Sequence, residues 1–132
     1  LRASGNYIPE LALVAEDEGK LIGHLMLTRT FIETAYGQHA LLLLAPVSVV
    51  FERRSQGVGA QLIKEAFHLA KAKGHKAVIV GGDPAYYNRF DFRPSVDFGI
   101  ANTDQIPNEN VMACELTPDA LQNVKGTISF HG

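Results

Sequence analysis

The chain has 132 residues, 46% hydrophobic and 20% charged, with a formal net charge of −2. That length fits one domain with a proper core, the balance is that of an ordinary globular protein, and the near-neutral charge excludes a general nucleic-acid footprint. No apolar run approaches the roughly 20 residues needed to cross a bilayer. The longest, Ala40 to Val50, contains Pro46 and reads as a buried strand. No signal peptide is visible, and the single cysteine, Cys114, cannot form an internal disulfide, which fits a reducing cytoplasm.

Leu11 to Glu16 reads as a short strand, followed by the polar turn Asp17-Glu18-Gly19-Lys20. Leu21 to Glu33 is a longer strand, so the two form a hairpin. After a turn at Tyr36-Gly37-Gln38, His39 to Val50 is the third strand of the meander. It is apolar on both faces and is predicted to lie centrally, covered on both sides. Proline cannot donate to a ladder, so Pro46 predicts a bulge or a loss of pairing. A turn runs from Phe51 to Gly57, and a helix from about Val58 to Lys73. Val58, Leu62, Ala66, Leu69 and Ala70 recur at helical spacing as its buried stripe. Lys71 and Lys73 suit the negative end of the dipole, and Gly74 is the stop signal.

Lys76 to Gly81 is a strand, and Pro84 opens a short helix through Phe90. Met112 to Leu116 alternates like a strand. Thr117 to Leu121 carries an N-cap threonine and a first-turn proline, and Gly126 to Phe130 is the last strand. With no internal repeat or low-complexity linker, residues 1–132 form a single domain. The order of elements gives a mixed α/β sheet, mostly antiparallel with one parallel crossover. The chain begins at Leu1 rather than Met and is soon in a strand pattern, so an N-terminally truncated domain is expected.

The most informative stretch is Arg54-Ser55-Gln56-Gly57-Val58-Gly59-Ala60, which joins a buried strand to an amphipathic helix. The first N–H groups of a helix have no intrahelical partners, and the dipole is positive there. Gly57 and Gly59 present no side chain to an approaching anion, so backbone donors can cradle a pyrophosphate, with Arg53 and Arg54 adding positive charge. The dinucleotide fingerprint wants a third glycine where Leu62 stands, and the Walker motif wants Gly-Lys-Ser/Thr where Gly59-Ala60-Gln61 stands. Neither fits. A helix start that binds nothing is the bland alternative.

Arg-x-x-Gly-x-Gly after a strand, opening a helix, resembles the acyl-CoA pyrophosphate loop of GNAT acetyltransferases. The preceding Val47-Ser48-Val49 resembles the strand segment that lines thioester and pantetheine in that superfamily. Downstream, Gly82-Asp83-Pro84-Ala85-Tyr86-Tyr87-Asn88-Arg89-Phe90-Asp91-Phe92-Arg93-Pro94 resembles its Tyr-x-x-Phe-Gly-Phe-x-Pro signature, in the form of the YhbS-like bacterial branch. The resemblance covers nearly the whole chain. It implies a GNAT-type sheet with a V-shaped splay between two central parallel strands, flanking helices, and a missing N-terminal strand or helix. Two departures stand out: Asp91 replaces a glycine, and most of the family's first strand and helices is absent.

The resemblance implies acetyl-CoA as co-substrate and transfer of its acetyl group to a primary amine, of a small molecule or a protein, by direct attack. Val47, Ser48, Val49, Arg54, Ser55, Gln56, Gly57, Val58, Gly59 and Ala60 would bind the cofactor. The Val49 N–H is the candidate donor to the thioester oxygen. Tyr87 aligns with the tyrosine that supplies a proton to the leaving thiolate in relatives. Asp83 is a candidate base or amine-orienting group, with capping of the helix at Pro84 as its alternative role. Glu33, His24 and His39 read as surface or strand residues. Tyr86 reads as packing, Phe90, Phe92 and Phe98 as core or cleft wall, and Cys114 as a small buried hydrophobe. The histidines show no metal-ligand spacing, so no metal is expected. Nucleic-acid and membrane partners are not expected. A homodimer is among the expectations, because a chain lacking its first strand exposes an edge. The competing readings are a non-catalytic acyl-CoA-binding module on the same fold and a protein-interaction domain.

Overall fold

A computed structural model of the chain describes residues 7–44, 48–49, 57–104, 106–122 and 124–128. The predicted meander is present as β1 (Tyr7–Asp17), β2 (Lys20–Thr34) and β3 (Gly37–Leu44), with β2 antiparallel to both neighbours. A short β4 (Ser48–Val49) follows, then α1 (Val58–Ala72) and β5 (Ala77–Gly81). Next come a one-turn helix α2 (Pro84–Tyr87), a 3-10 turn at Asn88–Phe90 and β6 (Arg93–Pro94). The chain closes with β7 (Ile100–Asn102), β8 (Val111–Glu115) and β9 (Gly126–Ile128). The sheet order is β6-β8-β5-β3-β2-β9-β7, with β1 and β4 also pairing with β2.

The central strands are apolar on both faces because both faces are covered. Leu42 and Leu44 of β3, Val78 and Val80 of β5, and Met112 and Cys114 of β8 join Leu25 and Leu27 in a core beneath α1. Their alternates, Leu41, Ala77, Ile79, Val111 and Ala113, join a second core with Ile100, Leu121, Val124 and Ile128. The period-two alternation of a strand divides each strand between the two cores.

Leu62, Ala66 and Ala70 of the predicted stripe on α1 are buried, while Val58 and Leu69 are half-buried at its margins. Ile63, outside that stripe, is fully buried. Gly74 ends the helix in a Schellman arrangement: its N–H donates to the Lys71 carbonyl at 3.1 Å, and the His75 N–H to that of Ala70 at 3.0 Å.

The parallel pairing of β3 with β5 runs through Leu42↔Val78 and Leu43↔Ile79. Beyond it the strands part. Val80 and Gly81 continue with Met112 and Val111 of β8, whereas Ser48 and Val49 pair with His24 and Gly23 of β2. Among the described residues no pairing joins β4 to β5, and this is the predicted splay. Pro46 lies outside the described residues, but the pairings flanking it are offset. Leu27 faces Leu44 and His24 faces Ser48, so three steps along β2 match four on the other side.

Two expectations are corrected. Thr117 to Leu121 forms turns rather than a helix, because Asp119 takes φ 59° and ends any helical run there. The sheet holds a second parallel pair, β7 with β9, besides the crossover through α1. No helix among the described residues is long and apolar enough to cross a membrane.

Candidate active site

The candidate residues belong to the elements that flank the point where β3 and β5 part. In an antiparallel pair, alternate residues direct their backbone groups to the partner strand. One of Ser48 and Val49 therefore turns its N–H and C=O away from β2, toward the gap left by β5. Helix α1 packs on β1, β2 and β4, and Val58 and Ala60 of its first turn lie against the core that Leu25, Leu27 and Tyr87 share.

Gly57 is the N-cap of α1, with φ 81° and ψ 6°, a left-handed conformation that side chains rarely adopt. Its carbonyl accepts the first helical bond, from the Gln61 N–H at 3.0 Å. The N–H groups of Gly57, Val58, Gly59 and Ala60 are the four that precede the helical ladder. Among the described residues no side chain caps them and nothing lies within 4 Å of where a Gly57 Cβ would be, and the first turn holds no acidic residue. This donor set fits a pyrophosphate. Val47, Arg54, Ser55 and Gln56 lie outside the described residues, and Ser48 and Val49 are described only by their strand pairing.

Past the end of β5, Asp83 caps α2: its Oδ1 accepts the Ala85 N–H at 2.9 Å, and Pro84 opens the helix. Asp83 itself is exposed. One turn on, Tyr87 is 8% exposed and belongs to the core beneath α1. Tyr86 and Phe92 meet its ring edge-on, at centroid distances of 5.0 and 5.6 Å. Burial, and then the neighbouring Tyr86, push the Tyr87 phenol above its usual pKa, so it holds its proton. Such a group can hydrogen-bond and protonate a thiolate.

Two residues of this region escape a sequence reading. The Gly82 N–H donates to the Asn110 carbonyl at 2.9 Å, and Asn110 Nδ2 donates to the Gly82 carbonyl at 3.1 Å. Gly82 stands in the downstream motif, but nothing local marks Asn110, 28 residues away.

The other residues singled out lie in the strands, turns and core. Glu33 Oε1 accepts from Gln38 Nε2 at 2.7 Å, at the turn end of the β2–β3 hairpin. His39 is half-buried opposite Ile32, and His24 is half-buried opposite Ser48. Tyr86 lies under the Arg89 guanidinium at 4.7 Å, and Phe92 meets Phe67 of α1 edge-on at 5.8 Å. Asp91 takes φ 67°, so the position does need the left-handed region that its replacement of glycine suggested.

The family profile described as the acetyltransferase (GNAT) domain matches residues 9–94. The chain belongs to the GNAT acetyltransferase family. It is 34% identical over 103 residues to the uncharacterized N-acetyltransferase YjhQ of Escherichia coli K12, covering 77% of this chain and 57% of that protein. It is 30% identical over 123 residues to the uncharacterized N-acetyltransferase YhbS of the same strain, covering 92% and 72%. The chain therefore spans little more than half of the first relative. The crystal structure of Escherichia coli YhbS in complex with CoA superposes with a TM-score of 0.89 at 29% identity, covering 99% of this chain and 71% of that one. A GNAT acetyltransferase from Brucella melitensis in complex with acetyl-CoA gives 0.75 at 26% identity, covering 100% and 71%. The YhbS-like GNAT fold expected from the motifs is thus present, with its splay.

Proposed function

We propose that this chain transfers an acetyl group from acetyl-CoA to a primary amine of a small molecule or a protein. The observation that supports the reading is that Val58 and Ala60, in the first turn of α1, pack against the same core that holds Tyr87, a buried, proton-holding phenol on the first turn after β5. The solved relatives, with CoA in YhbS and acetyl-CoA in the Brucella protein, support the same co-substrate here.

Acetyl-CoA supplies an activated acyl group as a thioester. The N–H groups of Gly57, Val58, Gly59 and Ala60 hold the pyrophosphate, with Arg54, Ser55 and Gln56 completing the loop. Val47, Ser48 and Val49 line the acyl end, and the Val49 N–H donates to the thioester oxygen, where negative charge grows as the amine attacks. Tyr87 donates its phenolic proton to the departing sulfur. Asp83 acts through its cap, which fixes the helix that carries Tyr87, and the amine's proton leaves to water. The lone buried thiol of Cys114 asks for no oxidising compartment, and a cytoplasmic setting is part of the proposal.

A non-catalytic acyl-CoA-binding module on the same fold is the second reading, and the aspartate at position 91 is one of the features that speak for it. Its φ of 67° preserves the turn, which removes that ground. The test is thiol release from acetyl-CoA with a panel of primary amines, for the wild type and Tyr87→Phe. Tyr87→Phe is expected to slow turnover about 100-fold while leaving CoA affinity within about twofold. An unchanged rate at every pH excludes Tyr87 as the acid. Binding without turnover on any amine identifies the non-catalytic module instead.

A further inference from the structure

We infer that Gly82 and Asn110 are positioning residues for Tyr87, seating the phenol ring against bare backbone so that its hydroxyl faces the reacting sulfur. The inference rests on the proposed proton donation by Tyr87. It starts from what a side chain at position 82 would meet. A Cβ there would lie 2.7 Å from Tyr87 Cε2, 3.3 Å from Cδ2 and 3.7 Å from Cζ, and these are its three nearest heavy atoms. Carbon atoms pack at roughly 3.5–4.0 Å, so the first two contacts are too close. The backbone at Gly82 lies outside the left-handed region. Alanine is therefore acceptable to the backbone there, and the Tyr87 ring is what opposes it. Cζ carries the hydroxyl, so a displaced ring carries the acid with it.

The floor is itself fixed. Asn110 binds both backbone groups of Gly82, its carbonyl taking the N–H and its Nδ2 reaching the carbonyl. The first bond extends the β5–β8 ladder one residue beyond Gly81↔Val111, and the second adds a side-chain rung. Tyr86 and Phe92 meet the ring edge-on, so it has little room to yield except by leaving its seat.

The test compares Gly82→Ala and Asn110→Ala in the wild-type and Tyr87→Phe backgrounds. The readouts are thiol release with the amine panel, thermal melting, and the ring signals of Tyr87 in the 13C-tyrosine NMR spectrum. Gly82→Ala is expected to shift the Tyr87 ring signals and lower kcat about tenfold or more, with KM for acetyl-CoA within about twofold. In the Tyr87→Phe background it should lower melting as before, since the ring overlap is unchanged, but should not slow the reaction further. Asn110→Ala should show the same pattern in weaker form, and it decides the matter if Gly82→Ala does not fold. Unmoved Tyr87 signals, or equal slowing in both backgrounds, overturns the inference while leaving Tyr87 as the acid. A Tyr87→Phe variant as fast as wild type overturns the acid reading and this inference with it.

Discussion

The carboxylate of Asp83 accepts the Ala85 N–H at 2.9 Å, and so binds the start of the one-turn helix whose last residue is Tyr87. Capping and proton acceptance make different demands on this side chain: a cap needs an acceptor oxygen, a base needs the charge. Asp83→Asn keeps the first and loses the second. It is expected to retain stability and rate, whereas Asp83→Ala is expected to lose about 1 kcal/mol in urea unfolding and to slow turnover. An Asp83→Asn variant as slow as Asp83→Ala would make the charge, and hence a base, the important property.

Asp91 ends the 3-10 turn after α2 at φ 67°, its N–H donating to the Asn88 carbonyl at 3.2 Å. Asp91→Gly is expected to fold within about 1 kcal/mol of wild type, and Asp91→Val to lose about 1–2 kcal/mol, because a branched side chain clashes in the left-handed region. Thermal melting of the pair checks the order. Equal stability of the two would show that the turn does not constrain this position.

The pH dependence of turnover follows from Tyr87. Its phenol is held above the ordinary value, chiefly by burial, so it is protonated and able to donate throughout the neutral range. As pH rises through its pKa, above about 10, the proton donor is lost and the rate falls. Tyr87→Phe, already lacking the donor, should show no such fall in its pH–rate profile.

Cys114 gives a stability prediction with a defined sign. Burial, followed by the charges of Asp91 and Glu115, pushes its thiol up to about 11. The unfolded thiol ionises near 8.5, so above about that pH the native chain holds a proton the unfolded chain has lost. Its contribution to stability is full below about 8.5 and declines as pH rises toward the folded value. Cys114→Ala should flatten this decline in urea midpoints taken at about pH 8 and pH 10. Iodoacetamide should label the native thiol slowly and the unfolded one fast.

Much of this architecture is legible along the chain. Runs such as Leu41–Leu44 and Ala77–Val80 are apolar at successive positions because alternate residues feed two different cores. Helix α1 follows from its spacing and from Gly74, and the Asp83 cap from an aspartate before proline. Asp91 was readable because aspartate is among the few residues that tolerate the left-handed region. The rest depends on contacts distant in sequence or on geometry below the reach of pattern. Thr117-Pro118 carries helix-start signals, yet the positive φ of Asp119 turns the chain instead. The strand Ile100–Asn102 is too short to show a period. Asn110 binds Gly82 from the 3-10 turn before β8, and Ile63 is buried beside the expected stripe because α1 presents a broader face to the sheet.

The central claim is that the start of α1 binds the pyrophosphate of acetyl-CoA, and calorimetric titration tests it directly. The wild-type chain is titrated with acetyl-CoA, with ATP and NAD as controls. Gly57→Glu places a carboxylate on the anion site, and Gly57→Asn controls for the left-handed backbone at φ 81°, which asparagine tolerates. Binding of acetyl-CoA but not of ATP or NAD, lost in Gly57→Glu and kept in Gly57→Asn, is the predicted result. No heat with acetyl-CoA, or equal affinity in Gly57→Glu, would contradict it.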